Sequence, residues 1–94
     1  MAIRIVVPME AVSGKRDELI GAFRTRAPEV RQESGCKEFE LYQSTERPDQ
    51  LVLLELWEDE YTLKAHSELN KQRGNNVGSL RIVGTKAERY TTLP

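Results

Sequence analysis

The residues Leu51-Val52-Leu53-Leu54-Glu55-Leu56-Trp57 form an apolar run broken only by Glu55. The turn signal Arg47-Pro48-Asp49 stands just before it. Side chains alternate across a strand, so this one is apolar on both faces, and such strands are normally buried on both sides. A chain of 94 residues forms one domain, here 1–94, and buries only about 60–65% of the surface its unfolded form exposes. It therefore has to cover both faces of its central strand with little material.

The remaining periods say what covers one face. Ile3, Ile5, Val7 and Met9 alternate with Arg4, Val6, Pro8 and Glu10, a first strand with an apolar odd face. Pro8 lacks a donor, which predicts an edge or a bulge there. Ser13-Gly14 breaks the pattern, with Ser13 as a helix cap and Asp17 and Glu18 in the first turn. From Lys15 to about Glu33 the period is helical, with Leu19, Phe23, Ala27 and Val30 as the stripe and Ile20 beside it. Pro28 predicts a kink or break near Ala27, and Ser34-Gly35 ends the helix.

A strand over Lys37–Thr45 follows, with Phe39, Leu41 and Gln43 opposite Glu38, Glu40 and Tyr42. It forms a hairpin with the Leu51–Trp57 strand. Asp59 caps a second helix over Glu60–Gln72. Arg73–Gly84 reads as a loop with one helical turn, anchored by Leu80, Ile82 and Val83. Thr85–Leu93 is the last strand. The order β-α-β-β-α-β predicts an α+β, ferredoxin-like split βαβ domain, its four antiparallel strands carrying both helices on one face. The other face then needs a partner. A second copy in a homodimer is the simplest, since two-fold association is the commonest.

Composition removes several function classes. The formal net charge is −1 with no long run of one sign, which gives no reason to expect nucleic acid or an anionic membrane. No apolar stretch reaches the roughly 20 residues of a membrane span, and no export signal is visible. Cys36 is the single cysteine, so no internal disulfide forms; a cytoplasmic location is expected. One histidine and no paired cysteines make a dedicated metal site unexpected. The glycines at 74, 78 and 84 are not placed as a nucleotide loop requires.

Five segments carry a resemblance in order and spacing. They are Gly14-Lys15, Glu33-Ser34-Gly35-Cys36, Glu40-Leu41-Tyr42-Gln43-Ser44, Leu54-Glu55-Leu56-Trp57-Glu58 and Leu63-Lys64-Ala65-His66. Together they resemble the antibiotic biosynthesis monooxygenase family over roughly residues 3 to 92. The resemblance implies a dimeric α/β barrel. It leaves the reaction open, because the family includes cofactor-free oxygenases of aromatic polyketides and quinols, haem-degrading enzymes and a sugar-phosphate isomerase. The haem branch uses a first-strand asparagine that this chain lacks, and the isomerase branch a second histidine where this chain has Asn70 and Lys71.

His66 is the only side chain whose ordinary pKa lies near neutrality. It shares a helix face with Leu63 and Asn70, aimed between helix and sheet. It is read either as a base or proton relay for an enclosed substrate, or as a hydrogen-bonded, partly exposed helix histidine. Glu55 shares a strand face with Trp57. It is read either as an acid or base with a raised pKa or, preferentially, as a structural partner of Arg4 or Arg24. Tyr42 and Trp57 are candidate walls for an aromatic substrate, with core packing as the alternative. Cys36, lacking a nearby histidine, is a small apolar residue.

The resemblance and these residues imply a cofactor-independent monooxygenase acting on a small aromatic or quinol-type substrate. His66 is the base, Asn70 an orienting donor and Tyr42, Trp57 and Glu55 the substrate-contacting residues. The competing class is a non-catalytic dimeric small-molecule-binding or stress-associated domain with the same fold. No cofactor or metal is expected in either.

Overall fold

The computed structural model describes residues 1–74, 77–82 and 86–92. Strand β1 (Ala2–Glu10) leads to helix α1 (Arg16–Arg31), strands β2 (Cys36–Gln43) and β3 (Gln50–Trp57), helix α2 (Glu60–Arg73) and strand β4 (Glu88–Thr92). The four strands form one antiparallel sheet in the order β2-β3-β1-β4. This is the ferredoxin-like α+β arrangement expected from the alternating periods. Val83, Thr85 and Leu93 fall outside the described residues. Lys86 and Ala87 precede the last strand rather than joining it.

Helix α1 seals its half of the sheet as its sequence stripe dictates. Leu19, Phe23, Ala27 and Val30 are its buried residues, and Leu19 and Val30 have no exposed surface. They pack with Met9, Phe39, Leu51, Leu53 and Trp57 into one apolar cluster. Two local expectations fail. The cap position is Lys15 rather than Ser13, with no side-chain bond to the first turn, because the turn closes instead through the Lys15 N–H donating to Val12 O at 2.8 Å. The helix also runs unbroken through Pro28, whose apolar neighbours Ala27 and Val30 are held in the core. That packing outweighs the loss of one helical hydrogen bond.

The hairpin between β2 and β3 closes as its sequence predicts. Gln50 N donates to Arg47 O at 2.8 Å across Pro48-Asp49. Helix α2 begins with a reciprocal cap: Asp59 accepts from the Thr62 N–H at 2.9 Å, and the Asp59 N–H donates to Thr62 Oγ1 at 3.3 Å. The Thr62 N–H donated to it lowers the pKa of the Asp59 carboxyl. In the loop after α2, Val77 is the buried anchor and Leu80 packs beside it, while Ile82 is exposed. Leu80 N donates to Val77 O at 3.0 Å, closing the single turn expected there.

The sheet's two faces differ. Leu51, Leu53, Glu55 and Trp57 of β3 are buried beneath the helices, and Val52, Leu54 and Leu56 are half-buried on the other side. Val6 and Pro8 of β1 pair with Leu54 and Val52. An apolar patch therefore occupies the face opposite the helices. Among the described residues, no helix is long and apolar enough to cross a membrane.

Candidate functional site

Helix α2 does not seal its half of the sheet. Its inward line is Thr62, His66 and Asn70, spaced one turn apart, and only Thr62 and His66 are buried. Polar groups on that line leave space between helix and sheet. Two cavities, of about 480 and 590 Å³, share Val7, Glu55, His66 and Asn70 as walls. The first adds the apolar Met9, Phe23, Phe39, Leu53 and Val77. The second runs out past Leu63, Tyr61 and Arg89.

His66 is held on every side. Its ring stacks on Trp57 with centroids 4.5 Å apart and planes at 28°, and meets the edge of Phe39 at 5.9 Å. Nδ1 lies 2.9 Å from Glu33 Oε1, and Nε2 lies 3.7 Å from Glu55 Oε1. With Nδ1–H donated to the Glu33 carboxylate, Nε2 is the nitrogen left to take a proton. Glu33 is fixed in turn by Arg73, whose Nη1 donates to Oε2 at 2.8 Å.

Glu55 is 8% exposed and accepts from Trp57 Nε1 at 2.9 Å. Burial pushes its carboxyl above the ordinary value. The Trp57 hydrogen bond and His66 oppose that shift, while the nearby Glu33 adds to it. A carboxyl whose pKa is raised beside the remaining histidine nitrogen can relay a proton to or from a molecule in the cleft. Asn70 Oδ1 is buried in the same wall, with no hydrogen-bond partner among the described residues. A buried amide oxygen without a partner costs free energy unless a ligand or water donates to it.

The expected site residues divide accordingly. His66, Glu55 and Asn70 come together at the cleft, with Trp57 beneath His66 rather than forming an open wall. Tyr42 does not join them. It is 43% exposed and bonds Glu40 and Glu38 on the other face of the sheet. Neither arginine expected for Glu55 reaches it. Arg4 pairs with Glu38 on that same outer face, and Arg24 borders a separate hollow of about 310 Å³ between α1 and β2, together with Tyr42. That hollow lacks a buried titratable side chain among its lining, so the α2 cleft is the better candidate.

Cys36 is half-buried, and burial together with Glu33 and Glu55 pushes its thiol up, in keeping with an inert residue. Among the described residues, no group of three or more histidine, cysteine, aspartate and glutamate side chains is placed to hold a metal ion.

Glu33 is the participant that the sequence did not single out. Gly35 explains how it arrives. Gly35 has φ of 80°, and a Cβ there would lie 2.4 to 2.5 Å from three atoms of the Thr62 side chain. The turn after α1 therefore presses directly on the first turn of α2. Gly35 O also accepts from Glu58 N at 2.8 Å. Glu33, two residues before that contact, is thereby set against His66, one turn beyond Thr62.

The family model for antibiotic biosynthesis monooxygenases matches residues 2–73, which include every residue of this network. The chain belongs to that family. Membership gives it a monooxygenase-like or small-molecule-binding role. Its fold is also that of solved structures. A conserved protein from Methanosarcina mazei matches with a TM-score of 0.87 at 27% identity, over 96% of this chain and 91% of that one. Proteins from Pseudomonas aeruginosa and Mycobacterium tuberculosis match at TM-scores of 0.84, with 19% and 21% identity. These cover 99% and 100% of this chain and 95% and 97% of theirs. No curated protein matches the sequence.

Proposed function

We propose that the α2 cleft is the site of a cofactor-independent monooxygenase acting on a small, electron-rich aromatic or quinol-type substrate. The observation that carries this reading is His66: buried, with Nδ1 committed to Glu33 and Nε2 beside Glu55 in a cleft walled by apolar side chains. In such a cleft His66 Nε2 takes the proton of a phenolic hydroxyl. The resulting phenolate reduces molecular oxygen, and one oxygen atom bonds to a ring carbon bearing hydrogen. Loss of the second oxygen as water, with that ring hydrogen and the phenolic proton, leaves the quinone. A naphthol and one O₂ thus give one quinone and one water, with the substrate supplying all four electrons that reduce the two oxygen atoms. Glu55 relays the proton, and Asn70, expected as a donor, instead presents its amide oxygen, which accepts from the phenolic hydroxyl as the substrate binds, before His66 takes that proton.

A non-catalytic binding domain would use the same cleft and the same Asn70 oxygen. Oxygen consumption separates the two. The purified protein should take up oxygen with naphthols or hydroquinones, and His66→Ala should abolish the uptake; no uptake, or equal uptake by the variant, refutes the enzymatic reading. We further propose that a second copy covers the outer sheet face, where Val6, Val52, Leu54 and Leu56 would otherwise meet water.

A further inference from the structure

The charge around the cleft is lopsided. The chain as a whole is net −1. Yet the cavity of about 480 Å³ is bordered by Arg26 of α1, Lys71 of α2 and Arg81 of the following segment, with Glu55 as the only carboxylate among its described lining residues. Burial pushes that carboxyl toward its neutral form. The three cations come from three separate parts of the chain, so their meeting is a product of the fold rather than of a local basic run. Beyond them the wall is apolar, with Met9, Phe23 and Leu53.

Helix capping is the ordinary use of such cations, since the negative end of the α2 dipole lies nearby. It accounts for little here. Arg26 Nη2 reaches Gly74 O at 3.5 Å, a long contact that occupies one of five guanidinium donors. Lys71 pairs at 3.6 Å with Glu68, and both of those side chains are more than half exposed. Arg81 is bridged through its backbone to Ala11 and is engaged by further contacts, so the weak local use of the cations is that of Arg26 and Lys71.

We infer that the ligand of this cleft is an aromatic molecule bearing an anionic group, seated with that group toward Arg26, Lys71 and Arg81 and its ionisable hydroxyl toward His66 and Glu55. Oxyanions of either carboxylate or sulfonate type satisfy the cationic side, and flat apolar carbon fits between. The inference rests on the reading of the cleft as a small-molecule site and names the class of molecule it takes.

Isothermal titration calorimetry with three probes tests it. They are a hydroxynaphthoate with its two groups at opposite ends of the ring system, the matching hydroxynaphthalenesulfonate, and uncharged naphthol. The hydroxynaphthoate should bind at least about tenfold more tightly than naphthol, a charge-assisted contact being worth about 1.5–3 kcal/mol. That margin should shrink with added salt. A carboxylate preference over the sulfonate would assign the site to planar carboxylates, and equal binding would assign it to oxyanions in general; either supports the inference.

Arg26→Gln combined with Lys71→Gln should erase most of the margin between the anions and naphthol, and Arg26→Lys should retain it. Circular dichroism and thermal melting confirm that the variants are folded. Naphthol binding as tightly as the anions would overturn the inference and leave the cleft standing. No binding by any probe would overturn both. Anion-selective binding without oxygen uptake would uphold the inference and refute the oxygenase reading.

Discussion

Gly35→Ala should be among the most damaging single-methyl changes available to this chain. Gly14 and Gly35 share the same φ of 80°. At Gly14 an added Cβ meets nothing within 4 Å; at Gly35 it meets Cγ2, Cβ and Oγ1 of Thr62 at 2.4 to 2.5 Å. Both substitutions place an L side chain in the left-handed region, at about 1–2 kcal/mol. Both also recover about 0.4–1 kcal/mol through the less flexible unfolded chain. The net cost of Gly14→Ala is therefore about 1 kcal/mol. Gly35→Ala adds a clash with the branching carbon of a threonine anchored in the α2 cap, where overpacking costs about 1–3 kcal/mol more. Its total of about 2–4 kcal/mol is a large share of the roughly 5–14 kcal/mol that a domain of this length possesses. Urea denaturation of both variants measures the difference. Thr62→Ser, which removes only Cγ2, should recover part of the loss in the double variant. Equal losses at the two glycines would refute the close approach of the α1–β2 turn to α2, and with it the account of how Glu33 reaches His66.

Other expectations follow from the same coordinates. The folded chain keeps the Glu55 proton to higher pH than the unfolded chain does, so the unfolded state binds fewer protons. Stability should then fall as pH rises from the ordinary carboxylate range through the raised folded value. Glu55→Gln has no such proton to lose, so its stability relative to the native chain should improve across that window in urea titrations at stepped pH. Sedimentation equilibrium at micromolar concentration should show a dimer, and Leu54→Asp, which sets an unpaired charge on the outer face, should abolish soluble folded dimer. Glu33→Ala should reduce oxygen uptake with naphthol, with Glu33→Gln retaining more of it, since the amide oxygen can still accept from Nδ1; indistinguishable rates for all three proteins would remove Glu33 from the mechanism.

The fold was legible because its periods are clean. The 3.6-residue stripe of α1 matches its buried residues, the odd face of β1 is buried at Ile3 and Met9, and the continuous apolar run of β3 is buried on one face and half-buried on the other. Alternation also bears on the site, and more strictly than chemical type does. In β1, Arg4 lies between Ile3 and Ile5, so it faces away from them and away from Glu55, and the register sets it against Leu56. In β2, Tyr42 shares its side with Glu38 and Glu40, the side that turned out to be opposite His66. An aromatic ring and an arginine suited a site by chemistry, while parity placed both on the other face. Parity did set Trp57 on the face of Glu55, two residues along the strand, but chemical type drew attention to the arginines and away from the indole N–H that donates to the carboxylate.

Glu33 was harder to find for a different reason. The stripe Leu19, Phe23, Ala27, Val30 continues by three residues to Glu33, so a carboxylate occupies the next core-facing position. That was the available signal, and the Ser34-Gly35 stop masked it by making Glu33 look like an exposed helix end. A carboxylate carried into that position needs cationic or hydrogen-bonding partners. Helix α2 supplies both, from His66 in its middle and Arg73 in its last turn. Neither pairing has a sequence signature, since residues 33 and 40 positions apart are brought together by the fold, where the Gly35 turn packs against Thr62. The glycine that lets the two helices approach is therefore as much a determinant of the site as the histidine itself.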